Sequence, residues 1–286
     1  MKSEEALNIS IENPIFSAVT GSRLYGTNRE DSDYDSRGYI IPPFEYLINV
    51  KKFECREFSD KDHKIYSLKR YLDLALKGDP QSIELLYIPE NKIINTSDIA
   101  NEFISLRSDI ISENIQNRLI GYAYSEWRKA MGQRMLMDKR TVNEDNVIND
   151  IRNIFAPNKE NMDNIIEILM EDKERKVISS KMGLGAKRKK EFEEYGFGTS
   201  SAVHSIRLLD QLYELMITGV ITFPRPNAEL LKRIRYGKYT KNEVNEIYEE
   251  NLCKVKNNKD NSILRKKPNY KKIWQTYSDV IKSFLK

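Results

Sequence analysis

Thiol and imidazole side chains are nearly missing from this sequence: 286 residues hold two cysteines, Cys55 and Cys253, and two histidines, His63 and His204. No CxxC spacing and no paired histidines occur, which disfavours structural zinc and structural disulfides alike. Long apolar runs are missing as well. The most apolar stretch, Leu212 to Phe223, is broken by Glu214 and is far too short to cross a bilayer, and no apolar h-region follows the start. These absences predict a cytoplasmic protein without a membrane partner. No internal repeat is evident. Charge of a single sign is also scarce, since 47 Lys and Arg face 43 Asp and Glu for a net +4. What excess there is gathers locally, in Lys187, Arg188, Lys189 and Lys190 and again in Arg265, Lys266 and Lys267. Such runs either form a solvated face or flexible loop, or meet a polyanion.

What is present suits a folded protein, with 40% hydrophobic residues for cores and 31% charged residues for the surface. At this length two domains sharing an interface are expected. The first third carries strand signals in "NPIFSAVTGS", "DYDSRGYIIPP" and "INVKKFECREF", with a further short strand at His63 to Tyr66. In "SLKRYLDLALKGDP" the period becomes helical: Leu68, Leu72, Ala75 and Leu76 form a stripe, Ser67 is the N-cap and Gly78 the stop. Asp79 and Pro80 then start another helix. Beyond about Ile94 nearly every segment places apolar residues at three- and four-residue spacing. The reading is α+β: a first domain over residues 1–95, built on a small mixed sheet with flanking helices, and a mainly helical domain over 96–286 that closes one side of a cleft. Residues 157–196 are charged and weakly periodic, which predicts a basic mobile loop.

The stretch "GSRLYGTNREDSDYD", Gly21 to Asp35, follows the apolar run of the first strand. A strand alternates its side chains, so Asp33 and Asp35 would share a face with Tyr34 on the other. Carboxylates held that close repel unless a cation sits between them, and Mg²⁺ prefers one or two carboxylates together with substrate phosphates. Two metals about 4 Å apart would activate an attacking hydroxyl and neutralise charge on a transferring phosphoryl group. At the strand's end Gly21 lets backbone approach a ligand, and Ser22 offers its hydroxyl beside free N–H groups, which suits triphosphate oxygens. Arg23 or Arg37 would add charge-assisted bonds to them. The glycines at 21 and 26 imitate the opening of a P-loop, but Thr27 and Asn28 stand where that motif needs Lys and Ser/Thr, which disfavours a Walker-type NTPase. "SDYD" taken alone more often marks a surface turn or helix cap than a metal site.

Strand, Gly-Ser, short polar helix and Asp-x-Asp, in that order, resemble the polymerase-β-like nucleotidyltransferase superfamily. "TGSRLYGTNREDSDYDSRGYIIPP", "DHKIYSLKRYLDLALKGDPQSIELLY", "GYAYSEWRKAM" and "HSIRLLDQLYELMITGVITFPRPNAELLKRIRYGKYTKNEV" narrow this to the bacterial and phage nucleotidyltransferases related to the RNA-repair-pathway polymerase-β-like proteins. These stretches run from about Phe16 to Val244. The resemblance implies a palm-like sheet, two Mg²⁺ (or Mn²⁺) ions, and transfer of an NMP from an NTP such as ATP to a hydroxyl, with an RNA (possibly tRNA) end as acceptor. It also implies a third acidic residue on a neighbouring strand, general base and metal ligand in one. Asp62, before "KIYSL", is the candidate, with Asp60 and Glu57 in reserve. One departure is that Gly198, Thr199, Ser200 and Ser201 stand where the family pattern has Asp-Thr-Lys-His, which removes a lysine able to meet phosphate or acceptor.

Three accounts of the acceptor stay open: an RNA end, a small molecule or protein, and a scaffold that only binds RNA. For RNA, the basic residues Lys187 to Lys190 supply charge, and aromatics supply stacking surfaces, among them Tyr122, Tyr124, Trp127 and above all Tyr195 in the charged segment. At helical spacing such rings more often fill a core. His204 sits on the stripe of Ala202, Ile206, Leu209 and Leu212 and reads as a hydrogen-bonded structural histidine. His63 reads as an exposed strand residue. Oligomeric state is not encoded in any of these patterns.

Overall fold

The computed structural model describes residues 3–30, 32–58, 62–132 and 186–285. It is α+β, with an N-terminal mixed five-stranded sheet flanked by helices and a mostly helical C-terminal half. The strands are β1 (Phe16–Val19), β2 (Ser36–Ile40), β3 (Cys55–Phe58), β4 (His63–Ser67) and β5 (Ile93–Asn95), in the order β3-β4-β2-β1-β5. β2 and β4 are parallel, and the other pairs are antiparallel. Helix α1 (Ser3–Glu12) lays Leu7 and Ile11 on Ile40 and Ile65 of one sheet face. On the other face Tyr39 stacks between Phe16, at 5.3 Å, and Tyr71 of α4 (Leu68–Leu76), at 4.3 Å. Each such ring pair adds about 1 kcal/mol beyond the apolar area it buries.

Helix α2 (Gly21–Tyr25) leaves the end of β1 directly, and α3 (Phe44–Leu47) follows β2. The start of α4 is set locally, because Ser67 Oγ accepts from Arg70 N at 3.2 Å. Gly78, at φ +80°, ends that turn, and α5 (Pro80–Glu84) begins on Asp79, whose Oδ2 accepts from Ser82 N at 2.9 Å. The remaining α-helices among the described residues are α6 (Asp98–Ser105), α7 (Arg107–Ile110), α8 (Asn114–Ala130), α9 (Ala186–Tyr195), α10 (Thr199–Thr218), α11 (Ala228–Arg235), α12 (Lys241–Asn257) and α13 (Tyr270–Phe284). α9 lies inside the segment read as a loop. Residues 133–185, the rest of that segment among them, fall outside the described residues.

The chain gathers into two compact units. The first takes Met1–Ile120, Arg207–Arg233 and Glu249–Lys286, so helices from well beyond residue 95 pack with the sheet. The second takes Gly121–Ile206 and Ile234–Tyr248. Within it Trp127 stacks on Tyr248 at 4.2 Å, Ser205 Oγ donates to the Ala123 carbonyl at 2.7 Å, and Tyr195 lays its ring against Gly237. Trp127 is therefore core, as helical spacing more often means. No helix among the described residues is long and apolar enough to cross a membrane.

In the first unit Asp109 fastens the C-terminal helix. It accepts from Lys272 Nζ and Arg265 Nη1, each at 2.6 Å, and from Asn269 Nδ2 at 3.1 Å. The bond from Lys272 leads the causes that hold its carboxyl at about 2 instead of 3.8; Asn269 and Arg265 reinforce it, and burial opposes it. Lys266 pairs with Glu113 at 3.2 Å, so two of the three residues in this basic cluster serve the fold. A depressed carboxylate stabilises the fold fully above its unfolded pKa and loses that contribution as pH falls through the folded one. Asp109→Asn is expected to cost about 1–2 kcal/mol at neutral pH. In denaturant titrations from pH 5 downward, the gap from wild type should hold above about pH 4 and close toward about pH 2.

Candidate active site

The carboxylates meet where three chain segments end. Thr20, just past β1, donates its N–H to the Asp35 carbonyl at 2.9 Å, and Ser36 N–H reaches the Asp62 carbonyl at 3.0 Å. Those bonds extend the pairing of β1, β2 and β4 by one residue, and Asp35 and Asp62 become lateral neighbours on the parallel pair. Their carboxyl groups lie close enough for Asp62 to raise the Asp35 pKa. Asp35 also lies flush against the Gly21 backbone: an added Cβ there would sit 1.7 Å from Asp35 Oδ2. Gly21, Asp35 and Asp62 are thus neighbours within the first unit.

Asp35 and Asp33 differ in setting. Partial burial, then the hydrogen bond and charge of Asp62, and lastly the charge of Asp33, push the Asp35 carboxyl up to about 6 against the opposing charge of Arg37. Asp33 stays exposed, and β2 begins only at Ser36, so both aspartates precede the strand instead of lying in it. The reason is that β1 ends at Val19 and offers Asp33 no ladder partner. Arg23 instead ties this loop down, donating to the carbonyls of Ser32 at 2.8 Å and Asp33 at 3.3 Å, with its guanidinium 6.0 Å from the exposed Tyr34 ring. Arg37, two residues on from Asp35, acts on that carboxyl as the opposing positive charge.

The reserves for the third acid separate. Glu57 sits opposite Lys64 on the β3–β4 pair and is ion-paired with it, and Asp60 lies outside the described residues. His63 is half-buried, with Nδ1 2.6 Å from Ser36 Oγ, because the parallel register sets the two side by side. Clustered carboxylates that repel one another are hard oxygen donors, so the donor set fits Mg²⁺ or Mn²⁺. Among the described residues no group of three or more His, Cys, Asp or Glu side chains is drawn together tightly enough to enclose a metal, and Asp33 stands at the edge of the pair.

The chain belongs to the RNA repair pathway DNA polymerase beta family. The family model matches residues 2–267, nearly the whole sequence, and points to nucleotidyltransferase activity. Polymerase-β-like enzymes of this kind generally use divalent metals. The chain is also similar to an uncharacterized 38.9 kDa protein in the nrdC-mobD intergenic region of Enterobacteria phage T4, 28% identical over 122 residues. That match covers 38% of this chain and 36% of the phage protein, so the chain spans about a third of that relative. No solved structure matches it.

The nucleic-acid residues read from the sequence lie in the second unit. Lys189 and Lys190 are exposed on α9, with Lys189 3.8 Å from Glu193, while the side chains of Lys187 and Arg188 are outside the described residues. Ser200 N–H and Oγ both donate to Glu191. Burial drives the Glu126 carboxyl upward, but Lys129, the charge of His204 and a bond from Ser201 outweigh it and leave it lowered. The two serines of the departing stretch therefore serve the helical packing.

Sequence reasoning missed a buried polar network behind α2. Glu84 Oε2 accepts from Tyr25 OH at 2.7 Å, and Glu84 Oε1 accepts from Arg207 Nη1 at 2.5 Å and Gln211 Nε2 at 3.1 Å. Arg207 Nη1 also reaches Gln211 Oε1 at 2.6 Å, and its guanidinium carbon lies 3.9 Å from the centre of the Tyr25 ring. The sequence held one clue. Arg207 and Gln211 stand four apart beside the apolar stripe of α10, where a helix has little reason to place two polar groups unless they meet a partner.

Proposed function

We propose that this protein transfers an NMP from an NTP to a hydroxyl group of RNA and releases pyrophosphate. The observation that carries the reading is the Asp35 carboxyl, neighboured by Asp62 and pressed against the Gly21 turn, in a chain of the polymerase-β-like family. Asp33, Asp35 and Asp62 would hold the divalent cation, Mg²⁺ or Mn²⁺ and by expectation two ions, which supplies charge neutralisation at the transferring phosphoryl group. The acceptor oxygen bonds to the α-phosphorus while the bond from that phosphorus to the bridging oxygen breaks. Pyrophosphate leaves with the bridging oxygen and its electron pair, and Asp62 takes the proton of the acceptor hydroxyl.

Gly21 and Ser22 would seat the β and γ phosphates, and Arg37 would add a charge-assisted bond. Arg23 is engaged with the Ser32 and Asp33 carbonyls, so its part is to hold Asp33 in reach. Lys187, Arg188, Lys189, Lys190 and Tyr195 are the residues assigned to RNA, and a cytoplasmic place of action fits RNA and NTP as partners. The test mixes purified protein with Mg²⁺, each α-labelled NTP in turn and total cellular RNA or lysate, beside an Asp33→Ala, Asp35→Ala double variant. Label in RNA from wild type alone is the expected result. Label in protein or a small molecule would replace the acceptor. Equal label from the double variant, or none from either, would remove the enzymatic reading.

A further inference from the structure

Helix α2 is five residues long, has no side-chain bond at its N-cap Thr20, and buries only Leu24. A helix this short does not hold itself in place, since an isolated turn costs more in ordering than its hydrogen bonds return. Its position must come from tertiary anchors, and besides buried Leu24 and the Arg23 bonds several of these converge on Tyr25. Glu84 holds the hydroxyl, Arg207 covers the ring face, and Arg225 N–H donates to the Tyr25 carbonyl at 3.0 Å. Glu84 and Arg207 are 2% and 3% exposed, so the ion pair is fully withdrawn from water.

Stability alone is a poor explanation for that arrangement. Withdrawing two charges costs about as much as their attraction returns, and apolar side chains of the same volume often stabilise a core equally well or better. What a charged pair adds is direction. The fork of the guanidinium and the two carboxylate oxygens fix where the Tyr25 ring and hydroxyl sit, and Tyr25 is the last residue of the helix whose first residue touches Asp35.

We propose that Arg207 and Glu84 are positioning residues for nucleotidyl transfer: their buried ion pair aims Tyr25 and, through α2, sets the Gly21–Ser22 turn against Asp35. The inference rests on the functional reading above. It places the determinant of the phosphate turn on a helix 123 residues away from Glu84 in sequence. Neither residue touches the reacting atoms.

Removing one charge would leave the other buried and unpaired, so the informative variant is the double Glu84→Gln, Arg207→Met. The amide at 84 still accepts from Tyr25 and can donate to Gln211, while the cation over the ring is gone. With the full chain, the double variant should keep a melting midpoint within a few degrees of wild type. It should bind Mg·NTP about tenfold more weakly in equilibrium dialysis, with kcat for label transfer down about 100-fold, the loss typical of a misplacement of about 1 Å. Arg207→Lys, which keeps the charge without the planar stack, should restore neither. A well-folded double variant with wild-type binding and kcat overturns the proposal. If the double variant fails to fold, Tyr25→Phe replaces it, because it keeps the ion pair and removes only the hydroxyl. Weaker binding then supports the proposal, and unchanged binding overturns it. A wild type that binds NTP but transfers nothing sinks the functional reading alone, and the comparison of binding still decides this one.

Discussion

Gly21→Ala is expected to reduce nucleotidyl transfer by about 100-fold or more while the protein stays folded. Two effects add at this position. The backbone has φ +64°, where a side chain is strained, and the new Cβ would fall 1.7 Å from Asp35 Oδ2 and 2.6 Å from its Cγ. The first effect costs on the order of 1–3 kcal/mol of stability. The second is specific to the site, because the carboxyl has to leave the place where it meets Asp62. Gly196→Ala separates the two, since Gly196 has φ +76° with nothing within 4 Å of an added Cβ. It should lower the melting midpoint by a similar amount and leave transfer untouched. Melting curves and initial rates for both variants make the check. If Gly21→Ala is as active as Gly196→Ala, the Asp35 carboxyl has no part in the reacting centre.

What could be read directly from the chain was whatever local chemistry decides. The Ser67 and Asp79 caps and the Gly78 stop are set by neighbours within four residues, and they stand where the pattern put them. Asp62 was singled out by its place ahead of a strand, and the parallel β2–β4 register sets it beside Asp35. The start of β2 was misread because strand length depends on the partner. Alternation in "SDYDS" looks the same whether β1 reaches it or stops at Val19. α9 was hidden by its charge, although Ala, Lys, Arg and Glu are strong helix formers, and Lys189 and Glu193 stand one turn apart. The Glu84–Arg207 pair joins residues whose separation exceeds any periodicity, so only the folded chain brings it into view.

Asp62→Asn is expected to lower transfer by about 100- to 10,000-fold, the range for loss of a general base, whereas Glu57→Gln should change it by less than about threefold. Both residues lie at the β3–β4 end of the sheet, and sequence alone ranked them as alternatives. Geometry separates them. Glu57 is 70% exposed and paired with Lys64, and such surface pairs contribute little. Asp62 neighbours Asp35 across the parallel pair and, with its hydrogen-bonding and negative charge, pushes up a carboxyl already disfavoured by burial. The stability readout should run opposite to the activity. Without divalent cation Asp62→Asn removes a like-charge neighbour from Asp35 while an amide can still hydrogen-bond it, so the melting midpoint should hold or rise. Protein that gains stability as it loses the reaction is what a site built from repelling charges predicts. A fall in midpoint with Asp62→Asn would mean that the pair serves the fold, and a greater loss of transfer with Glu57→Gln would move the third carboxylate to β3.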